Sequence, residues 1–229
     1  MISTAQTLTD MYRAMLGKLG PQHWWPAAAG AESAEGKLEI CIGAVLTQNT
    51  NWGNVELAIR NLRRAGCLSA AALDELPHEA LSELIRPAGY FNVKARRLKN
   101  FIRAVVQAGG DIEAFLDHPA GELRDALLKI SGVGRETADS IVLYAAGQAT
   151  FVVDAYTHRI LLRHGMIDEE ADYEQIKELF ETALPADAAM FNEYHALLVA
   201  VGKSFCRKRA PRCDACPLTA FDHDPALGA

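Results

Sequence analysis

Three groups of side chains in this sequence have the types and spacing to do chemistry. Cys206, Cys213 and Cys216 stand at C-x6-C-x2-C spacing in CRKRAPRCDACPL. Soft thiolates at such intervals bind iron–sulfur clusters or zinc. Asp154 is a lone carboxylate that ends the apolar run FVV and opens the pattern AYTHRILLRH. It is placed to cap a helix, which contributes about 1 kcal/mol. Ser131, Gly132, Val133 and Gly134 separate two apolar-periodic segments. Gly132 and Gly134 admit backbone angles closed to other residues. A helix starting near Arg135 would turn its unpaired amides and positive dipole end toward a phosphate. Val133 would fill the gap between the two helices. The plain alternative is a tight turn and nothing more.

The elements that must carry these groups read as helices. LEICIGAVLTQN, NVELAIRNLRRAG, KARRLKNFIRAVVQAGG, AGELRDALLKI, TADSIVLYAAG, YEQIKELFETAL and NEYHALLVAVGKSFC all space apolar residues at helical intervals. Glycines follow at plausible helix ends, Gly66, Gly89 and Gly147 among them. The fold class is all-α, about ten helices with short connections. FVV at 151–153 is too short to define a strand, and Ala27–Gly36, rich in Ala, Gly and Ser, reads as a loop. In GPQHWWPA, Trp24 and Trp25 serve either as core or as an aromatic face.

The 229 residues suffice for one large domain or two small ones. No apolar run approaches the roughly 18 residues of a membrane span, and MISTAQTLTDMYRAM lacks the marks of a signal peptide. A cytoplasmic protein is expected, nucleoid-associated in a bacterium. Five cysteines, an odd number, argue against a disulfide scaffold. Cys41 and Cys67 lie within helical patterns and read as small buried hydrophobes. The net charge of −6 argues at first against a polyanionic partner. Its distribution softens that: seven acids crowd Asp168–Glu181 around the single Lys177, while basic residues gather at Arg60–Arg64, Lys94–Arg103 and Lys203–Arg212. Each group taken alone is commonly a solvated helix face.

LLKISGVGRETADSIVLYAAGQATFVVDAYTHRIL resembles the helix-hairpin-helix motif and following aspartate of the HhH-GPD (endonuclease III) superfamily of DNA glycosylases. PAGYFNVKARRLKNF and AVLTQNTNWGNVELAI resemble that family's flanking segments, so the likeness runs from about residue 8 to 222. It implies two helical lobes with damaged double-stranded DNA bound between them. Residues 30–146 would form the continuous lobe, and 1–29 plus 147–229 the discontinuous one, carrying the aspartate and a C-terminal Cys-rich metal-cluster loop. Ser131, Gly132, Val133 and Gly134 would grip a DNA phosphate, with a monovalent cation on the turn carbonyls. Asp154 would support glycosidic cleavage. Gln48 and Asn49 match the loop that fills the vacated base stack.

Bifunctional members carry a Schiff-base lysine just after the hairpin, where this chain has Glu136. The resemblance therefore implies a monofunctional, monomeric glycosylase. Lys129 and Lys203 are conceivable substitute amines. GPQHWWPA followed by LTQNTNW is most similar to the 3-methyladenine branch, where Trp24 and Trp25 would stack on a cationic alkylated purine. Alternatives are an endonuclease III-like lyase on oxidised pyrimidines, a glycosylase for a mispaired base, and a non-catalytic DNA-binding scaffold. The family's [4Fe-4S] pattern C-x6-C-x2-C-x5-C puts Asp222 where the fourth cysteine belongs. A [4Fe-4S] cluster with Asp222 or His223 as atypical ligand is expected, with a three-iron cluster or a Cys3His zinc site as options.

Overall fold

The computed structural model describes residues 3–28 and 30–228; Ala29, within the expected loop, lies outside them. Among the described residues there are twelve α-helices and no strand. In chain order they are α1 (Thr4–Leu19), α2 (Ala34–Leu46), α3 (Trp52–Arg64), α4 (Ala70–Glu75), α5 (His78–Leu84), α6 (Phe91–Gln107), α7 (Ile112–Leu116), α8 (Ala120–Leu128), α9 (Arg135–Ser140), α10 (Ala155–Arg163), α11 (Tyr173–Ala183) and α12 (Ala188–Ser204). A π-helical segment, Ile141–Ala145, prolongs α9. No helix among the described residues is long and apolar enough to cross a membrane. The chain divides into two compact units, Trp25–Gln148 and Met1–Trp24 with Ala149–Ala229.

In the Trp25–Gln148 unit, α2 is the central helix. Every residue from Leu38 to Leu46 is buried, as a nearly all-round apolar sequence requires, and the one carboxylate, Glu39, is paired with Arg63. It packs against α3, α6, α7, α9 and the π-helical segment. The expected Ala27–Gly36 loop gives way to helix at its C-terminal end: the side chain of Ser33 accepts from Gly36 N and starts α2 at Ala34. Helix α6 corrects the expectation of a basic face over Lys94–Arg103. Lys94 and Lys99 are buried on the same stripe as Leu98, Ile102 and Val105. Lys94 Nζ donates to the carbonyls of Leu46 (2.8 Å) and Ala88 (2.7 Å). Lys99 Nζ donates to those of Leu73 (2.8 Å) and Asp74 (2.7 Å). The two ammonium groups thus satisfy carbonyls left open at helix ends. Burial brings Lys94 down to about 8.

In the unit built from both chain ends, α10 and α12 pack together and α1 lies against α11 and α12. Leu8, Met11 and Met15 form the buried stripe of α1. The core is aromatic: Phe151 stacks on Phe180 and meets Phe191 and Tyr194 edge-on. The Tyr194 hydroxyl donates to Leu8 O at 2.9 Å, so its polar end is satisfied inside the core. Gly202 of α12 is required by close approach, since a Cβ there would stand 2.3 Å from Tyr156 Cδ1. Cys41 is buried as expected, but Cys67 follows α3 in a half-exposed turn.

Candidate functional site

The hairpin lies in the Trp25–Gln148 unit. Helix α8 ends at Leu128, and Val133 N donates to Ile130 O to close the turn before α9. Val133 is buried, as a plug between helices must be. Gly132 has φ +100°, and a Cβ there would meet Arg97 Cγ at 2.3 Å. Gly134 differs from expectation: its backbone is extended, and open space lies where a Cβ would point. It caps α9 without a side-chain hydrogen bond, so the glycine keeps this helix start uncovered. The hairpin is clamped from below by Arg124, whose Nε donates to the fully buried Asp139 at 2.8 Å. Asn100 Nδ2 donates to Ser131 O at 2.9 Å. Glu136 is exposed on the first turn of α9.

Gln48 and Asn49 occupy the turn after α2, but in different ways. Gln48 Nε2 donates to Gly132 O at 3.2 Å and to Thr137 Oγ1 at 2.9 Å. Its Oε1 accepts from Arg97 Nη1. The side chain is therefore tied to the hairpin. Asn49 is exposed, with a left-handed φ of 52°. Trp25 is buried, perpendicular to Trp52 at 5.0 Å and tilted to Tyr144 at 5.2 Å. It lies so close to α2 that a Cβ on Gly43 would meet Trp25 Cζ2 at 2.7 Å. Trp24 is half-buried. The adjacent tryptophans thus divide: Trp25 belongs to a core, and Trp24 keeps part of its surface in solvent.

Asp154 lies in the other unit. It is the N-cap of α10, with Oδ1 accepting from Thr157 N (2.8 Å) and Thr157 Oγ1 (3.0 Å). Oδ2 is held 3.8 Å from His195 Nε2, and both side chains are largely buried. Burial pushes His195 below its usual range; Asp154 pulls it back up, and Lys203 adds to the fall. The segment before Asp154 is fixed by a member of the acidic run at 168–181. Glu181 Oε1 accepts from Phe151 N (2.8 Å), Thr150 Oγ1 (3.1 Å) and Lys177 Nζ (2.6 Å). Neither this anchor nor His195 was legible in the sequence. A histidine in the apolar helix NEYHALLVAVG was the only available signal.

The C-terminal loop joins the same unit. Cys206, Cys213 and Cys216 line one pocket together with Arg163, His164 and His223. Asp222 is exposed and lines a different pocket, beside Thr4, Thr7 and Met11. Among the described residues, no three His, Cys, Asp or Glu side chains are gathered closely enough to share one ion. An iron–sulfur group would take thiolate and imidazole donors of the types that line this pocket. The donor set fits such a group: two of the sulfurs accept hydrogen bonds, Cys206 from Arg163 Nη1 (3.3 Å) and Cys216 from Leu218 N (3.4 Å). Burial, followed by the neighbouring Cys206 and Cys213, pushes the Cys216 thiol up. A bound cation reverses that balance. Arg207, Lys208, Arg209 and Arg212 are all exposed on this loop.

Residues 42–186 match the model of the HhH-GPD superfamily base excision DNA repair protein family. A Methanocaldococcus jannaschii protein, provisionally named a DNA repair glycosylase, is 48% identical over 218 residues, 94% of this chain and 96% of its own length. Endonuclease III of Sulfolobus acidocaldarius is 28% identical over 181 residues, 79% of this chain and 78% of its own. Among solved structures, the H. pylori 3-methyladenine DNA glycosylase bound to 1,N6-ethenoadenine gives a TM-score of 0.71 at 26% identity, covering 88% of this chain and 98% of that one. A trapped endonuclease III–DNA covalent intermediate gives 0.78 at 21% identity, covering 96% of each chain, a likeness of fold.

Proposed function

This chain belongs to the HhH-GPD superfamily of base-excision DNA repair proteins, and from that premise we propose that it is a monofunctional DNA N-glycosylase acting on N-alkylated purines such as 3-methyladenine. The observation that carries the reading is the divided carboxylate of Asp154. One oxygen is committed to the cap of α10, and the other is held beside a buried histidine. Such a group is oriented before any substrate arrives, which is the condition for electrostatic catalysis.

The chemistry follows from the leaving group. A purine alkylated on a ring nitrogen is a cation and departs as a neutral base when the C1′–N bond breaks. The bonding pair leaves with the base, and positive charge develops on the deoxyribose. The Asp154 carboxylate stabilises that charge. Water then bonds to C1′ and gives up a proton, for which the same carboxylate is a suitable acceptor. The product is an abasic site with an intact strand. The family resemblance puts Glu136, exposed on α9, at the position of the lyase amine, and a carboxylate forms no Schiff base.

The hairpin Ser131–Gly134 is the phosphate-gripping element in this reading, with a monovalent cation on its carbonyls, and the exposed basic loop adds sequence-independent attraction. Asn49, exposed at its turn, is the better wedge; Gln48 holds that turn to the hairpin. Trp24 and Trp25 form the base-recognising aromatic pair, Trp25 by fixing the surface and Trp24 by contact. The likeness to a 3-methyladenine glycosylase at 26% identity supports the substrate class.

One observation favours a second reading, a bifunctional lyase. Lys203 is an exposed amine in the last turn of α12, the helix that also brings His195 beside Asp154. A panel of duplexes bearing alkylated, oxidised or mispaired bases, assayed with and without alkali, decides between the two. Strand breaks that appear only after alkali, on alkylpurine duplexes, with no borohydride-trapped complex, are expected. Trapping that Lys203→Ala abolishes would establish the lyase instead.

A further inference from the structure

The three cysteines leave one coordination position to be filled, and the two candidates in the sequence are adjacent residues. The structure separates them. His223 lines the pocket that Cys206, Cys213 and Cys216 share, whereas the exposed Asp222 lines the other. We propose that the cluster is an iron–sulfur group held by three thiolates and one imidazole, with His223 Nε2 as the fourth ligand and Asp222 outside the coordination sphere.

Two hydrogen bonds carry the argument further. His223 Nδ1 stands 2.8 Å from Phe221 O. A carbonyl only accepts, so Nδ1 bears the proton and Nε2 is the bare nitrogen, the tautomer that binds a metal. Ligating histidines typically donate their other ring N–H to a backbone carbonyl in this way. His164, the C-cap of α10, places its Nδ1 2.9 Å from Asp222 O. Its ring lies 5.4 Å from that of His223, tilted by 47°. His164 therefore grips the peptide between the two candidates, and in this arrangement the carboxylate faces solvent while the imidazole borders the sulfurs. It acts as a positioning residue for the ligand.

Arg163 completes the frame. Its guanidinium donates to Cys206 Sγ and to the carbonyls of Arg207 (2.8 Å) and Lys208 (3.2 Å), while Nε holds Leu227 O at 2.9 Å. The start of the cysteine loop and the chain beyond His223 are thus tied to one side chain of α10. Replacing a thiolate by a neutral imidazole leaves the cluster one negative charge poorer, so its reduction potential lies higher than that of an all-cysteine cluster. This inference concerns the cofactor alone and does not depend on which base the enzyme removes.

The test uses the full-length protein purified anaerobically, uniformly and then with 15N-histidine. The wild type is expected to contain iron and inorganic sulfide, and its paramagnetic state to show nitrogen hyperfine coupling that changes with the isotope. Asp222→Ala should keep the iron content and the visible spectrum. His223→Ala should lose iron, with the three-iron signal appearing in electron paramagnetic resonance. His223→Cys should restore four irons with a lower midpoint potential. A protein carrying stoichiometric zinc and no iron overturns the proposal. So does iron loss in Asp222→Ala with retention in His223→Ala, or the absence of any nitrogen coupling. The coupling experiment needs no variant, so a misfolded His223→Ala does not remove the test.

Discussion

The double duty of Asp154 makes its two roles separable by substitution. Asp154→Asn removes the charge but leaves an oxygen able to accept from Thr157 N and Oγ1, the two contacts now made by Oδ1. Asparagine caps helices as well as aspartate does, so the stability change should stay within about 0.5 kcal/mol. Asp154→Ala loses cap and charge together. The lost cap costs about 1 kcal/mol, which lowers the melting temperature by roughly 2–4 °C in a chain of this size. For the chemistry, a carboxylate about 4 Å from a developing cation is worth about 4 kcal/mol at an effective dielectric constant of about 20. At about 1.4 kcal/mol per tenfold, that corresponds to a rate factor near 10³. Both variants should therefore release base some 10²–10³ times more slowly in single turnover, and only the alanine variant should melt early. The assay is base release from a 3-methyladenine duplex under enzyme excess, read after alkali, beside thermal denaturation monitored by circular dichroism. If Asp154→Asn works within threefold of the wild type while Asp154→Ala fails, the cap matters and the charge does not.

Four further outcomes are expected. Arg124→Ala should lower the melting temperature by roughly 6–12 °C, because losing one partner of a buried ion pair costs about 3 kcal/mol or more; a shift below about 2 °C would remove the hairpin clamp from the account. Gly202→Ala should destabilise by about 1–3 kcal/mol through overpacking against Tyr156, seen as a lower urea midpoint with unchanged slope. His195, held by burial below its usual 6.5, is protonated first in the unfolded chain, so native stability should fall as the pH drops below 6.5; His195→Gln should flatten that decline in denaturant titrations, and an identical decline would count against it. Trp24→Ala should slow 3-methyladenine release with little change in melting, whereas Trp25→Ala should also cost about 3–5 kcal/mol of stability; full activity in Trp24→Ala would remove it from the base pocket.

The parts of the molecule that local rules govern were legible in the sequence. Helical periodicity gave the all-α class, and the cap at Asp154 and the plug at Val133 follow from spacing within a few residues. What escaped depends on partners distant in sequence. Lys94 and Lys99 look like surface charge because nothing local reveals the carbonyls of Leu46 and Leu73. Glu181 sits in an acidic run, and its role appears only when α11 brings it to Phe151 N. His195 is the eighth residue of α12, and only the packing of α12 on α10 places it beside Asp154. Trp24 and Trp25 are neighbours with the same side chain, and burial alone distinguishes them.

Gln48 enters any encounter with its amide and its carbonyl already engaged, on Gly132, Thr137 and Arg97. A duplex that draws this side chain into its stack must therefore exchange those partners rather than fill an idle group. The exchange strips a donor from the Gly132 carbonyl and frees the Arg97 guanidinium in one motion, leaving an oxygen open to a small cation and a positive charge open to phosphate. If the hairpin grips a phosphate as proposed, insertion and grip would be linked through one amide, and weakening either should be felt in the other.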